Sequence, residues 1–71
     1  MTSLQILYFL TAADCMSFSQ TSERLYVSQP AVSRQIKLLE QELGCRLFDR
    51  TRKNSIQLTP AGVVFQDAFS Q

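Results

Sequence analysis

One run of polar side chains with helical spacing is the part of this sequence best suited to chemistry. Its members are Ser28, Gln29, Pro30, Ser33, Arg34 and Lys37, and the first carboxylates on the same side are Glu40 and Glu42. Arginine and glutamine can each bond two acceptors on a base edge, and hydroxyl and ammonium groups bond phosphate oxygens. The pattern predicts a surface that contacts DNA, although an ordinary solvated helix face has a similar composition.

The helix that carries this face has a clear beginning and end. Ser28 is a favourable N-cap, and Pro30 is tolerated in the first helical turn, where its missing N–H costs no hydrogen bond. Gly44 suits the left-handed residue that follows the end of a helix. The apolar positions between these limits are Val32, Ile36, Leu39 and Leu43. Their spacing predicts a helix over residues 28–43 that buries the apolar stripe and exposes the polar face.

A shorter helix is predicted immediately before it. Ser17 can cap this helix, and Gln20 stands three residues later, as in a capping box. Only the turn at Tyr26-Val27-Ser28 separates the two helices, which is the arrangement of a helix-turn-helix. The predicted inner face of the shorter helix is Phe18, Ser22 and Leu25. Ser17 and Ser19, at its start, are predicted to contact the DNA backbone.

A basic hairpin, or wing, is predicted after the long helix. Leu47-Phe48 begins an extended segment, and Ile56-Gln57-Leu58 alternates apolar and polar residues as a half-buried strand does. The segment between them, residues 50–55, contains Asn54, which tolerates a tight turn. It also holds three cations within four positions: Arg50, Arg52 and Lys53. We expect them to contact the DNA backbone or the minor groove, the alternative being a solvated loop.

Helices are also predicted at the two ends of the sequence. The first begins with a capping box at Thr2 and Gln5, and the last begins at Thr59-Pro60. The predicted inward stripe of the first is Ile6, Phe9, Leu10 and Ala13, with Leu4, Leu7 and Tyr8 on another side. The predicted stripe of the last is Ala61, Val64, Phe65 and Ala68, extended by Phe69. The last helix reaches position 71 without an end signal, which suggests a truncated sequence.

Composition and charge are typical of one small domain. The 71 residues are 45% hydrophobic, which is enough for a core near the lower size limit for independent folding. The net charge is only +1, but six of the seven basic residues lie between positions 34 and 53. Such a focused charge predicts modest, salt-dependent DNA binding by one copy, which favours a dimer.

Other classes of protein are disfavoured. Histidine is absent, and the two cysteines, Cys15 and Cys45, are too far apart for a zinc motif. The sequence has no glycine-rich phosphate loop and no nucleophile beside a base, so we predict neither an enzyme nor a cofactor or metal site. It also lacks a signal peptide and an apolar run long enough to span a bilayer, so we predict a cytoplasmic protein that does not bind membranes.

Several motifs in order resemble the N-terminal domain of LysR-type transcriptional regulators. They are Phe18–Leu25, Val27–Ile36, Leu39–Gly44, Leu47–Arg50 and Leu58–Gly62. The resemblance implies a winged helix-turn-helix at residues 1–58 and, at residues 59–71, the start of a linker helix that pairs in a dimer. It also implies that a small-molecule effector binds a C-terminal domain absent from this sequence. Four positions depart from the family pattern: Ser3 replaces a leucine, Met16 a glycine, and Thr21-Ser22 paired alanines.

We therefore predict a mainly α, winged helix-turn-helix domain with a three-helix core, a two-stranded wing and the start of a linker helix. The predicted base-reading residues are Gln29, Pro30, Ser33 and Arg34, in the major groove. The predicted backbone contacts are Ser17, Ser19, Ser28, Lys37, Arg50, Arg52 and Lys53. Phe65, Phe69 and Leu7 are the predicted dimer interface, and two copies would read an interrupted palindrome in double-stranded DNA. The alternative is a winged-helix module that binds another protein through the apolar surfaces of the terminal helices.

Overall fold

The computed structural model describes residues 1–51 and 55–69. These residues form four helices and one antiparallel pair of strands: α1 (Ser3–Cys15), α2 (Phe18–Leu25), α3 (Gln29–Leu43), β1 (Phe48–Asp49), β2 (Gln57–Leu58) and α4 (Pro60–Phe69). In the sheet, Phe48 pairs with Leu58 and Asp49 with Gln57. The mainly helical, winged helix-turn-helix architecture predicted from the sequence is confirmed.

Local capping interactions set the limits of the helices. Thr2 and Gln5 form the predicted reciprocal capping box at the start of α1. The Ser17 hydroxyl accepts a hydrogen bond from the Gln20 N–H, and the Ser28 hydroxyl accepts one from the Ala31 N–H. Gly44 follows α3 with φ 74°, in the left-handed region where glycine carries no steric penalty. The caps at Thr2, Ser17, Ser28 and Gly44 are confirmed, whereas only the Ser17 half of the capping box predicted at Ser17 and Gln20 forms.

The core lies where α1, α2 and α3 meet β1. Its largest fully buried side chains are Phe9, Phe48, Ile36, Leu39, Leu47 and Val32. Phe48 lies between two other rings, with centroids 5.3 Å from Phe9 and 5.5 Å from Phe18. Tilted and edge-to-face pairs at these distances are favourable ring arrangements. The first strand of the wing is therefore anchored in the same core as the helix-turn-helix.

The predicted inward faces of α1 and α2 are only partly correct. In α1, Tyr8 is buried although it was predicted on another side, while Ile6 and Leu10 are only half-buried. Since α1 packs against α2 and α3 and also against α4, its buried arc is wider than one stripe. In α2, Thr21 is buried and the predicted Ser22 and Leu25 are half-buried.

A hydrogen bond within α2 makes the burial of Thr21 possible. The Thr21 hydroxyl donates to the Ser17 carbonyl at 2.7 Å, so the buried polar group is satisfied within its own helix. The neighbouring Ser22 hydroxyl donates in the same way to the Ser19 carbonyl. The two hydroxyl residues that replace the family's paired alanines are therefore accommodated without an unpaired hydroxyl.

The predicted inward stripe of α4 is wrong at two positions. Val64 is 70% exposed and Ala68 is exposed, whereas Gly62 is the buried residue of this helix. The helix rests on the loop before β1 through Gly62, where a Cβ would lie 2.2 Å from the Leu47 carbonyl oxygen. With Gly62 on the buried side of α4, Val64 lies on the exposed side.

The turn after α1 contains one departure from the family pattern, the methionine at position 16. Met16 caps α1 with φ 53°, in the left-handed region that side chains with a Cβ rarely adopt. Its N–H donates to the Ala12 carbonyl at 2.7 Å, so the conformation closes the end of the helix. A glycine there has no Cβ to strain, which is the physical reason for the family's preference.

Two further features concern membranes and metals. Among the helices formed by residues 1–51 and 55–69, none combines the length and apolar composition needed to span a bilayer. In the same residues, no three acidic or cysteine side chains are grouped as ligands for a metal ion. Cys15 and Cys45 are free thiols, with Cys15 half-buried and Cys45 exposed.

Candidate nucleic-acid interface

The outward face of α3 contains the four residues predicted to read bases. Gln29, Pro30 and Arg34 are exposed, and Ser33 is half-buried. Lys37, one turn after Ser33, is also exposed. Within residues 1–51 and 55–69, no carboxylate pairs with either cation of this face. The guanidinium and ammonium groups are therefore available to an external acceptor.

The turn between α2 and α3 holds this face at the surface. The Val27 N–H donates to the Ser22 carbonyl at 3.0 Å, and Tyr26 adopts φ 57° at the end of α2. Because Ser28 then caps α3, the first turn of the helix presents the Gln29 and Pro30 side chains, both exposed, at the surface. The Ser28 hydroxyl accepts from Ala31 and keeps its own proton for another acceptor.

A cleft brings together three predicted backbone contacts, Ser17, Ser19 and Arg50, and one predicted base-reading residue, Gln29. It is lined by Ser17, Ser19, Gln29, Arg50 and Ser55, together with apolar residues of the same segments. The start of α2, the start of α3 and both ends of the wing thus border one concave surface. A helix N-terminus combined with hydroxyl groups and a guanidinium is suited to an anion.

Arg50 lies at the base of the wing. Its guanidinium donates to a Glu40 carboxylate oxygen at 3.1 Å and lies over the Phe18 ring, 5.2 Å from the centroid. The side chain is 28% exposed. Its buried Nε has no hydrogen-bond partner among the described residues. Arg50 is therefore held by the fold on one side and borders the cleft on the other.

Glu40 is the important residue of this surface that the sequence reasoning placed wrongly. Predicted on the outward side of α3, it is buried, and its Oε2 accepts from the Leu47 N–H at 2.7 Å and the Phe48 N–H at 3.1 Å. A signal for burial was present, because Glu40 follows Ile36 by four positions and so continues the apolar stripe. The carboxylate joins α3 to the start of the wing.

The remaining predicted residues lie elsewhere. Arg52, Lys53 and the predicted turn residue Asn54 fall outside the described residues. Phe65 is half-buried, with its ring centroid 5.1 Å from Phe9 and 4.7 Å from Phe69. Besides Phe69, the large apolar residues that stay exposed on α1 and α4 are Leu4, Leu7, Val63 and Val64. The predicted dimer residues thus include Phe65, which contributes to the core, and the exposed Leu7 and Phe69.

Comparisons with known proteins agree with this geometry. Residues 4–63 match the family model described as "Bacterial regulatory helix-turn-helix protein, lysR family". The HTH-type transcriptional regulator TfdT of Cupriavidus pinatubonensis is 41% identical over 67 residues, which cover 94% of this chain and 29% of TfdT. The chain spans from 20% to 29% of the length of the curated relatives it matches.

Solved structures agree as well. A LysR-family transcriptional regulator from Eggerthella lenta DSM 2243 has a TM-score of 0.91 and 38% identity, with both chains covered completely. The crystal structure of a CbnR_DBD–DNA complex also gives a TM-score of 0.91, with 37% identity, and covers 96% of this chain and 77% of that one.

Proposed function

Because the chain belongs to the LysR family of bacterial regulatory helix-turn-helix proteins, we propose that it is the sequence-specific DNA-binding domain of a transcriptional regulator. The observation that carries the proposal is the exposed face of α3, which presents Arg34 without a carboxylate partner among the described residues and Gln29 at the cleft beside the start of α2. The similarity to a chain solved in complex with DNA supports the same role. We expect a non-catalytic protein that acts in the bacterial cytoplasm.

In this proposal the N-terminal half of α3 enters the major groove. Gln29, Pro30, Ser33 and Arg34 contact base edges, with Arg34 suited to two acceptors of a guanine and Pro30 to a thymine methyl group. The phosphate contacts are Ser17, Ser19, Ser28, Lys37 and Arg50, joined by Arg52 and Lys53 of the wing. Arg50 keeps donor groups beyond the one bonded to Glu40, so it can serve the fold and a phosphate at once.

Replacing Arg34 by alanine tests the base-reading role. We expect it to weaken binding to a preferred duplex, obtained by selection from a random library, by about 1 to 3 kcal/mol and to relax preference at particular base pairs. Anisotropy titrations with the selected duplex and with single-base variants of it measure both effects. Arg24→Ala is the matched control, because Arg24 is exposed on α2 and pairs with Asp14 at 2.7 Å. Unchanged affinity and preference for Arg34→Ala would show that α3 does not read bases.

We also propose that the full-length regulator is a homodimer or higher oligomer that binds an interrupted palindrome. Residues 59–71 would begin its linker helix, with Phe69 and Leu7 in the interface and Phe65 supporting them from the core. A C-terminal domain would bind the small-molecule effector. The support is the exposed apolar surface of α1 and α4 and the short span of this chain relative to its relatives.

Oligomerisation can be measured by sedimentation of a version that continues α4 into the rest of its regulator. We expect a dimer that dissociates when Phe69 and Leu7 are both replaced by serine, since each loses apolar area buried between copies. Asp67→Ser, at an exposed polar position of α4, is the control. A persistent monomer at high concentration would contradict the proposed interface.

The second candidate function is a winged-helix module that binds another protein. The net charge of +1 and the exposed apolar residues of α1 and α4 favour it. Salt dependence separates the two functions, because only DNA binding releases counterions and weakens steeply as salt rises.

A further inference from the structure

A second cleft follows α3 toward its C-terminal end. Ser33 and Lys37 line one side, Arg46 lies on the other side after the Gly44 turn, and Arg50 separates this cleft from the one at the start of α2. Lys37 and Arg46 are both exposed. Two exposed cations therefore face one concave surface that is continuous with the candidate DNA-binding face.

The acidic residue that lines this cleft, Glu40, does not repel an anion bound there. Glu40 lines it, but its carboxylate is buried and accepts hydrogen bonds from the Leu47 and Phe48 N–H groups and from Arg50. The charge of Glu40 is therefore compensated within the fold. Glu42, the next carboxylate on α3, contacts the N-terminal ammonium group of Met1 and does not line the cleft. The formal charge of the lining side chains is therefore positive, with Lys37, Arg46 and Arg50 against Glu40 alone.

The backbone around Arg46 is held on both sides. The Arg46 carbonyl accepts from the Thr59 hydroxyl at 2.6 Å, and the following Leu47 N–H donates to Glu40 at 2.7 Å. On the preceding side, the Cys45 N–H donates to the Glu40 carbonyl at 3.2 Å. An exposed side chain on such an ordered segment loses less conformational freedom on binding than one on a loose loop.

We propose that Arg46, together with Lys37, binds the DNA phosphate backbone in this second cleft. This inference rests on the proposed DNA-binding function. It adds Arg46 to the phosphate contacts already proposed for α3 and the wing. The ligand is a phosphodiester group, so the contact contributes affinity without base preference. The proposal gives the domain two phosphate positions. One lies at Ser17 and Ser19, and the second lies nearer the C-terminal end of α3.

The test compares Arg46→Gln with the wild-type chain in titrations against a random-sequence duplex at several salt concentrations. We expect binding to weaken roughly tenfold at about 50 mM salt, and the slope of log affinity against log salt to fall by about 0.9 for each copy bound. Selected and scrambled duplexes should lose the same factor, because the contact does not read sequence.

Two variants make the result specific. Arg46→Lys keeps the charge and should retain the wild-type salt slope, whereas Arg24→Gln, which removes a cation on the far end of α2, should retain both slope and affinity. Thermal unfolding should be similar for all of them, since the Arg46 side chain is exposed. An unchanged slope for Arg46→Gln, or an equal loss for Arg24→Gln, would overturn the inference while leaving DNA binding intact. Wild-type protein without salt-dependent binding would instead overturn the proposed function.

Discussion

Replacing Glu40 by alanine is expected to lower the free energy of unfolding by about 3 to 5 kcal/mol. The carboxylate serves three donors, namely the Leu47 and Phe48 N–H groups and the Arg50 guanidinium. Both N–H groups belong to buried residues, so removal of their acceptor leaves each with its desolvation cost uncompensated. Arg50 at the same time becomes a half-buried charge without its carboxylate partner.

A loss of this size is comparable with the whole stability of a domain as small as this one. We therefore expect Glu40→Ala to lose most of its helical circular dichroism at room temperature in the absence of denaturant. Glu40→Gln provides a quantitative comparison, because its amide oxygen can still accept from Leu47 or Phe48 while the charge opposite Arg50 is lost. Its expected cost is about 1 to 3 kcal/mol in urea denaturation.

The control for Glu40 is Glu23→Ala, at an exposed position of α2, which should stay within about 0.5 kcal/mol of the wild type. If Glu40→Ala unfolded at the same urea concentration as Glu23→Ala, the carboxylate would not join α3 to the wing. The predicted result would identify one side chain that sets the position of the wing relative to the recognition helix.

Gly62→Ala is expected to be the second most damaging change, at about 3 kcal/mol. A Cβ at this position would lie 2.2 Å from the Leu47 carbonyl oxygen and 2.9 Å from a Leu58 methyl carbon. The Leu47 oxygen cannot move freely, because it accepts the Thr59 N–H at 3.0 Å. Helix α4 would have to move away from the loop before β1, and this opens the contact between Phe65 and Phe9.

Close packing and helix propensity predict opposite signs for the change in stability caused by Gly62→Ala. In an exposed helix interior, alanine is more favourable than glycine by about 1 kcal/mol, so helix propensity alone predicts that Gly62→Ala stabilises the protein. Urea denaturation distinguishes the two outcomes. Val64→Ala, on the exposed side of the same helix, should change stability by less than about 0.5 kcal/mol. A stabilised Gly62→Ala variant would contradict the close packing of α4 on this loop.

Much of the fold was predictable because the signals are local. The caps at Ser17 and Ser28, the proline after Ser28 and the glycine after α3 act within one helical turn, so neighbouring residues suffice to place the helix limits. The outward position of Arg34 followed in the same way from its place opposite Val32 and Ile36. Tyr8 and Val64 were misplaced because their burial depends on how whole helices pack, which periodicity along one helix does not report.

By itself, the sequence determined the limits of the helices, the turn between α2 and α3 and the polar face of α3, since each depends on residues a few positions apart. Only the tertiary structure decided which polar groups form hydrogen bonds within the domain and which remain available to a ligand. Glu40 and Arg50, ten positions apart, pair because the chain turns at Gly44 and returns along α3. The same turn places Arg46 at the edge of a positive cleft. Such placements depend on the packing of separate segments, because hydrogen bonds and charges act through space and not along the chain.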